Sequence, residues 1–334
     1  GDRHAGEGDY LLSGKETEML DMVTNAGFEH VVVVLNIGGI IDTSWIAKYN
    51  IDSVLLAWQP GMEGGNAVAD VLCGDVNPSG KLTDTFAKNY NDYPSSNNFN
   101  KYGTVTEYEE DIYVGYRYFE TFDPNYEKVV YPFGYGLSYT TFDIGNVKVS
   151  SDDTNITVTA DVKNTGKVAG KEVVQTYYSA PQGKLGNPAK ELAAFQKTGL
   201  LKPGETEKVT MTYAITDMAS YDDTGKTGHK SAYVLEAGDY DIYVGNSIKN
   251  AGEKGVRDTY KLDADKVTEQ LSEQAAPIQL KQRMLADGSF EELEQPTDYA
   301  VDLNLHNEVK IEAEDYYKKH YHAALDFDSN PTPE

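Results

Sequence analysis

Apolar residues in the first 140 positions occur in short continuous runs that alternate with helical patterns. The run HVVVVLN (His30–Asn36) is apolar and β-branched almost throughout, which predicts a strand buried on both faces. The segment before it, GKETEMLDMVTNAG, places Met19, Met22 and Val23 at helical spacing behind an acidic first turn. This spacing predicts a helix that stops near Gly27.

The same alternation continues along the chain. DTSWIAKY predicts a short helix capped by Asp42, and DSVLLAW predicts a second buried strand. The glycine turn Gly61–Gly65 then leads into a helix, NAVADVLCG. Strand and helix in this order indicate a parallel sheet with helices on both faces. Ligands of such sheets bind at the carboxyl ends of the strands, where the turns at Gly38–Gly39 and Gly61–Gly65 would lie.

From about Phe142 the hydrophobic period changes to two. NITVTADVKNTG places Ile156, Val158, Ala160 and Val162 on one face of a strand. The segments VVQTYYSAP, EKVTMTYAI and SAYVLEAGDYDIYVG repeat this alternation between turns rich in glycine, proline and asparagine. Short strands of this kind predict an antiparallel sandwich of roughly 100–120 residues.

These patterns give a fold class and a domain division. We expect an α/β sandwich domain over about residues 1–140, with a mostly parallel sheet and helices on both faces. An all-β, immunoglobulin-like sandwich follows over about residues 141–262. Residues 263–334 form an acidic tail of unknown role, which the segment EAEDYYKKHYHAAL makes partly helical.

The charge of the chain narrows its possible partners. Fifty-four acidic residues against 29 Lys and Arg give a net charge of −25, which argues against binding to nucleic acid or to an anionic membrane surface. No apolar run approaches the roughly 20 residues needed to cross a bilayer. No signal peptide is visible, but the chain does not begin with methionine, so a cytoplasmic location and secretion both stay open. The single cysteine, Cys73, excludes an internal disulfide, and we expect a small buried side chain there.

Several candidate sites are weak. GMEGG matches neither glycine-rich nucleotide-binding pattern, and no lysine follows it to neutralise a phosphate, so we favour simple turn glycines. His320 and His322 could share a metal only on a strand, whereas their flanks look helical, so we expect surface histidines and no metal site. Trp45 and Trp58 could stack on sugar rings, but we expect both to pack in the core.

Three long stretches are far more specific. They are LLAWQPGMEGGNAVADVLCGDVNPSGKLTDTF (Leu55–Phe86), YEEDIYVGYRYFETF (Tyr108–Phe122) and YPFGYGLSYTTF (Tyr131–Phe142). In this order, ahead of a sandwich, they resemble the C-terminal part of glycoside hydrolase family 3, the β-glucosidase family. The sandwich segments NTGKVAGKEVVQTYYSAP and ELAAFQKTGLLKPGE resemble that family's fibronectin type III-like domain. Most of these residues also have structural roles: NPSGKL predicts a turn, and FGYGLSYT predicts a linker whose aromatic side chains join the two domains.

The resemblance implies a retaining mechanism with two carboxylates and no cofactor. In this family an Asp nucleophile lies on a (β/α)8 barrel domain, and a Glu acid/base lies on a loop of the α/β domain. A barrel of this kind needs about 250 residues, and no eightfold strand–helix repeat fits in this chain. We therefore expect a fragment, a processed chain or one subunit of a split enzyme, whose partner is a barrel-bearing segment or chain.

The opening stretch, GDRHAGEGDYLLSGKE, resembles the loop that carries the family's acid/base, and two placements compete. In the first, Asp2 and Arg3 are the tail of the motif and hold the loop, and the acid/base lies just before Gly1. Glu7 is then an ordinary solvated charge. In the second, Gly6-Glu7-Gly8 is the motif itself and Glu7 is the catalytic acid/base, but the following arginine is missing and the loop is too short. We favour the first placement because it matches more positions.

The function expected from the resemblance is the C-terminal portion of an exo-acting β-glucosidase-like hydrolase. Its substrate would be a β-glucoside or β-linked oligosaccharide, from which terminal non-reducing glucosyl residues are removed. On its own the chain is expected to be inactive. The alternative is a non-catalytic carbohydrate-binding or assembly module derived from such an enzyme, which co-purification of a barrel-bearing chain would argue against.

Overall fold

The computed structural model describes residues 4–99, 106–272 and 280–294. Its helices are short and its strands are numerous. The helices are α1 (Gly14–Thr24), α2 (Ser44–Lys48), α3 (Gly64–Cys73), α4 (Tyr116–Phe122) and α5 (Ile248–Lys254). The strands up to residue 200 are β1 (Val32–Leu35), β2 (Ser53–Leu56), β3 (Phe86–Ala87), β4 (Val129–Tyr131), β5 (Phe142–Ser151), β6 (Asn155–Asn164), β7 (Val173–Ser179) and β8 (Glu191–Lys197). The later strands are β9 (Thr206–Ala214), β10 (Ser220–Asp222), β11 (Ala232–Leu235), β12 (Gly238–Gly245), β13 (Val256–Leu262), β14 (Lys266–Gln270), β15 (Gln282–Met284) and β16 (Phe290–Glu292).

The first part of the chain is the predicted α/β unit. Strands β1 and β2 pair in parallel, with Val32 opposite Ser53 and Leu35 opposite Leu56. Helix α1 begins with a capping box, in which the Ser13 hydroxyl accepts a hydrogen bond from the Glu16 amide and the Glu16 carboxylate accepts one from the Ser13 amide. The helix ends at Thr24, three residues before the predicted stop.

Burial in this unit differs from the sequence expectation. Val32 and Val34 are 47% and 39% exposed, so the prediction of a strand buried on both faces is wrong for the described residues. Met19 and Met22 on α1 are also exposed. The physical reason is that β1 belongs to a sheet of two strands, and the described residues leave one side of it partly open.

The remaining helices of this unit follow the local signals. Asp42 lies two residues before α2, next to the N-cap Thr43, and its carboxylate caps the helix by accepting hydrogen bonds from the amide and hydroxyl of Ser44. Helix α3 ends at Cys73 and is capped by Gly74, whose φ of +81° is a left-handed conformation suited to glycine. Cys73, expected to be buried, is exposed because it lies on the last turn of α3.

The sandwich consists of two antiparallel sheets that share one core. The sheet orders are β5-β6-β9 and β13-β12-β7-β8. The four side chains predicted on one face of β6 are buried in this core, together with residues from β7, β9 and β12. Strands β10, β11 and β14 form a third, smaller sheet.

The described residues after 262 include three strands, β14, β15 and β16. Strand β14 pairs antiparallel with β11, with Ala232 opposite Gln270. Strands β15 and β16 then form a hairpin, with Gln282 opposite Glu292. The predicted helix EAEDYYKKHYHAAL, with His320 and His322, lies outside the described residues. Within the described part, no helix is both long and apolar enough to span a bilayer.

Candidate functional site

The opening loop folds back on itself before α1 begins. The Gly8 amide donates to the Leu11 carbonyl at 2.8 Å, and the Leu11 amide donates to the Gly6 carbonyl at 3.1 Å. Gly8 has a φ of +78°, a conformation that glycine adopts easily and that is unfavourable for residues with a side chain. Glu7 is exposed and lies at the start of this turn, where its backbone forms an isolated bridge with Leu11. Asp2 and Arg3 lie outside the described residues.

Tyr10 anchors this loop to the rest of the α/β unit. Its side chain is buried and meets the Tyr90 ring edge-on, at 5.3 Å between centroids. Its carbonyl accepts a hydrogen bond from the Asp42 amide at 2.9 Å. Burial raises the pKa of the Tyr10 phenol to about 12, and the nearby Asp42 carboxylate acts in the same direction. The loop that carries Glu7 is therefore held from one side by a neutral, buried tyrosine.

The carboxyl ends of the two parallel strands come together as the sequence predicts. A side chain at Gly38, after β1, would contact the Gln59 amide, after β2, at 2.9 Å. Trp58 precedes Gln59 with a positive φ of 52° and lies 6.4 Å from the Phe86 ring. Trp45 is buried as expected, and Trp58 is half-buried.

Two of the motif stretches, Leu55–Phe86 and Tyr131–Phe142, meet at the junction with the sandwich. Asn77, in NPSGKL, accepts hydrogen bonds from the Ser138 hydroxyl and the Tyr139 amide and donates to the Ala169 carbonyl. Phe133, in FGYGLSYT, lies 6.5 Å from the ring of Tyr177 in the sandwich. These contacts agree with the structural roles expected for the motifs.

Buried ion pairs at the same junction were missed by the sequence analysis. Lys81 lies 2.7 Å from Glu172, and both side chains are nearly enclosed. Lys190 lies 2.9 Å from Glu120, whose carboxylate also accepts a hydrogen bond from the Tyr126 hydroxyl. A charged residue in a strand or helix usually lies in solvent, so a single sequence gives no signal that these are enclosed.

A polar pocket near Glu110 was missed for the same reason. Asn97, Asn98, Glu109 and Glu110 line one side of it, and the β15–β16 hairpin lines the other. Glu109 and Glu110 lie within the motif YEEDIYVGYRYFETF, and the hairpin lies in the part assigned to a tail. In the described residues, no group of three or more His, Cys, Asp or Glu is arranged to hold a metal ion.

Comparison with known families identifies both parts of the chain. Residues 1–139 match the glycosyl hydrolase family 3 C-terminal domain. Residues 172–248 match a fibronectin type III-like domain. The two matches occur in the order in which the α/β unit and the sandwich occur in the structure.

Individual relatives agree with these matches. The chain is 49% identical over 304 residues to beta-glucosidase A of Butyrivibrio fibrisolvens, a match that covers 86% of this chain and 36% of that protein. It is 46% identical over 278 residues to a beta-glucosidase of Ruminococcus albus, covering 83% of this chain and 28% of that one. The chain thus spans about a third of the length of these relatives.

Solved structures show the same relationship. A beta-glucosidase from Paenibacillus barengoltzii superposes with a TM-score of 0.78 at 48% identity, over 89% of this chain and 34% of that one. Beta-glucosidase 3B from Thermotoga neapolitana, in complex with alpha-D-glucose, superposes with a TM-score of 0.70 at 40% identity, over 80% of this chain and 36% of that one. The chain therefore belongs to glycoside hydrolase family 3, with that family's C-terminal α/β domain followed by a fibronectin type III-like domain.

Proposed function

We propose that this chain is the C-terminal portion of a retaining, exo-acting β-glucosidase that removes terminal non-reducing β-D-glucosyl residues. In this proposal it works with a (β/α)8 barrel carried by another segment or a partner chain. The observation that supports this proposal is the match of residues 1–139 to the family 3 C-terminal domain, together with relatives that are themselves named β-glucosidases. We also propose the division at about residues 140 and 262, with the later residues as an appended segment.

The exposed apolar surface of the α/β unit supports the need for a partner. Met19, Met22, Val32, Val34 and Met62 are all exposed. Met19 and Met22 share a face of α1, and Val32 and Val34 share a face of β1. Apolar side chains grouped on one face are typical of a surface that other protein covers. A further segment of the same enzyme is the natural cover for side chains that the sequence pattern of a strand and helix predicts to be buried.

In the proposed mechanism, the opening loop supplies the carboxyl group that transfers the proton. A retaining hydrolase needs two carboxyl groups about 5–5.5 Å apart, one as nucleophile and one as acid/base. The barrel would supply the nucleophile. The loop would supply the acid/base, which is either Glu7 or a residue preceding Gly1. If the acid/base precedes Gly1, Asp2 and Arg3 hold the loop in place.

An exchange experiment tests the proposal. The segment of the Butyrivibrio fibrisolvens enzyme that matches this chain is replaced by this chain, and hydrolysis of an aryl β-glucoside is measured. We expect the chimera to be active and the isolated 334-residue chain to be inactive, because the covalent route needs the nucleophile. A folded chimera without activity would contradict the proposal, and turnover by the isolated chain would contradict the divided site.

The same chimera decides the role of Glu7. If Glu7 is the acid/base, Glu7→Gln slows substrates with poor leaving groups by about 10²–10⁴-fold. Aryl glucosides with activated leaving groups need less protonation, so formation of the glycosyl-enzyme is slowed less for them. Azide, as an external nucleophile, restores the rate of the second step, in which the glycosyl-enzyme breaks down. If the acid/base precedes Gly1, Glu7→Gln leaves turnover nearly unchanged, whereas Arg3→Ala impairs every substrate through misplacement of the loop.

A further inference from the structure

A polar pocket is lined on one side by Pro94, Asn97, Asn98, Glu109 and Glu110 and on the other by the β15–β16 hairpin, and we call it the hairpin pocket. It has a volume of about 230 Å³. This is well above the roughly 30 Å³ of one water molecule and below the roughly 300–1,000 Å³ of pockets for drug-sized ligands. The space suits one small molecule.

The walls of the hairpin pocket are fixed by hydrogen bonds. The Met284 amide, on β15, donates to the Glu109 carbonyl at 2.8 Å. Arg283 joins the hairpin to the sandwich, because its Nε donates to Glu291 at 2.6 Å and its Nη1 donates to both oxygens of Asp223 at 2.8 Å. On the opposite wall, Asn98 donates to the Glu107 carbonyl at 2.8 Å. The pocket is therefore built from anchored backbone and not from a loose surface loop.

Glu110 is the buried carboxylate that lines this pocket. The residue is 6% exposed, and in the described part of the chain no side chain or amide of another residue donates a hydrogen bond to its carboxyl group. Burial raises the pKa of Glu110, the hydrogen bond from its own backbone lowers it, and the neighbouring Glu109 and Asp111 carboxylates raise it further. The carboxyl oxygens of Glu110 are not among the fully enclosed, unpartnered polar atoms of the described residues, and a carboxylate offers about four acceptor positions. A hydroxyl-bearing ligand in the pocket can therefore donate to it.

The other lining groups select among possible ligands. The side-chain amides of Asn97, Asn98 and Gln282 can each donate and accept, and the 47% exposed Phe290 offers an apolar ring. Glu109 and Glu110 repel an anion. A metal ion lacks a suitable donor set, since the described residues contain no cluster of three His, Cys, Asp or Glu able to hold one.

From these observations we propose that the hairpin pocket binds a single neutral sugar ring. The hydroxyl groups of the ring pair with the Glu110 carboxyl and the amides of Asn97 and Gln282, and an apolar face of the ring packs on Phe290. The proposal rests on this pocket alone and does not depend on which residue is the acid/base.

Saturation-transfer NMR on the full chain, with D-glucose and methyl β-D-glucoside as probes, tests this proposal. We expect transfer to both sugars at millimolar concentrations. Glu110→Gln keeps the shape of the side chain but removes its charge, and should weaken binding by about ten-fold or more, since hydrogen bonds to a charged group are stronger than those to a neutral amide. Phe290→Ala, on the exposed side of the pocket, should also weaken binding. Glu29→Gln, an equal charge change at a 93% exposed side chain, should bind like the unchanged chain.

Three results would overturn the proposal. The first is the absence of transfer to either sugar. The second is equal binding by the unchanged chain, Glu110→Gln and Phe290→Ala, with circular dichroism showing that both variants are folded. The third is a rise in melting temperature with CaCl2 that Glu110→Gln abolishes while neither sugar binds, which would make the pocket a cation site.

Discussion

At the residue scale, the junction between the α/β unit and the sandwich depends on charges that have little contact with water. The Glu172 carboxylate accepts from Lys81 at 2.7 Å, from Asn246 at 3.0 Å and from the Val173 amide at 2.8 Å. Such a group is stabilising only while its partners are in place, because removal of one partner leaves a buried charge uncompensated.

Lys81→Met should therefore destabilise the chain strongly. We expect a loss of about 3–5 kcal/mol in the free energy of unfolding, the usual cost of breaking one side of a buried pair. Lys15→Met breaks an exposed pair with Glu18 and should change stability by less than about 0.5 kcal/mol. Urea unfolding of both variants checks this, and equal stabilities would show that the Lys81–Glu172 pair is well solvated.

Asp222 makes the free energy of unfolding depend on pH, and the direction of its pKa shift gives the sign of that dependence. Burial raises its pKa, but hydrogen bonds from the Thr227 hydroxyl and from the amides of Thr227, Gly225 and Lys226 outweigh burial and lower the pKa below its ordinary value. The carboxylate thus contributes stability that is present above the unfolded pKa of about 3.9 and lost as pH falls through the lower folded value.

Asp222→Asn should flatten the decrease of unfolding free energy below about pH 4. Thr227→Val removes one donor and should give an intermediate slope. Urea unfolding across a series of acidic pH values measures both slopes. If the unfolding free energy of Asp222→Asn falls with decreasing pH as steeply as that of the unchanged chain, the hydrogen bonds to Asp222 do not lower its pKa.

At the element scale, the sequence predicted strands and helices well where local signals were strong. The alternation in β6 identified its buried face, and the parallel pairing of β1 and β2 followed from strand–helix alternation. The prediction failed where burial depends on other parts of the fold: Val32 and Val34 are in an apolar strand, yet they are partly exposed. Periodicity reports which residues share a face and not what covers that face.

The candidate site was less predictable than the fold. Motif spacing pointed to the opening loop, and Tyr10 and Asp42 do anchor that loop. Motif spacing gave no sign of Glu110 or of the hairpin, because residues 282–292 are mixed and charged. Their partners in the pocket are about 170 to 200 positions away in the sequence. Such long-range contacts have no local signature in a single sequence.

The hairpin depends on one side chain that makes contacts on both sides. Arg283 is largely buried and binds Glu291 within the hairpin and Asp223 in the sandwich. Arg283→Ala should release residues 280–294 from the sandwich and raise the rate of amide hydrogen exchange there, while exchange in β6 and β12 stays slow. Arg257→Ala, at an exposed position of β13, is the matched control. Unchanged exchange in the hairpin of Arg283→Ala would mean that its backbone contacts suffice.

At the scale of the whole molecule, the buried apolar core is unevenly distributed. In the described residues, the three clusters of buried apolar side chains contain no residue before Ala87, and the largest lies wholly in the sandwich. The α/β unit has few buried apolar side chains, among them Tyr10, Leu20 and Trp45. Regions with less buried apolar surface open at lower free energy than the rest of a protein.

The chain should therefore unfold in two steps, with the α/β unit first. Both of its tryptophans, Trp45 and Trp58, lie in this unit, so tryptophan fluorescence reports the first step, whereas far-ultraviolet circular dichroism is dominated by the sandwich strands. We expect the fluorescence midpoint at lower urea than the dichroism midpoint, and the same order in Trp58→Phe, which retains only the buried Trp45. In the chimera with the Butyrivibrio fibrisolvens enzyme, protein that covers Met19, Val32 and Val34 should move the fluorescence midpoint to higher urea. Coincident midpoints in the isolated chain would show that the junction couples the two parts completely, and an unmoved midpoint in an active chimera would show that the barrel does not cover this surface.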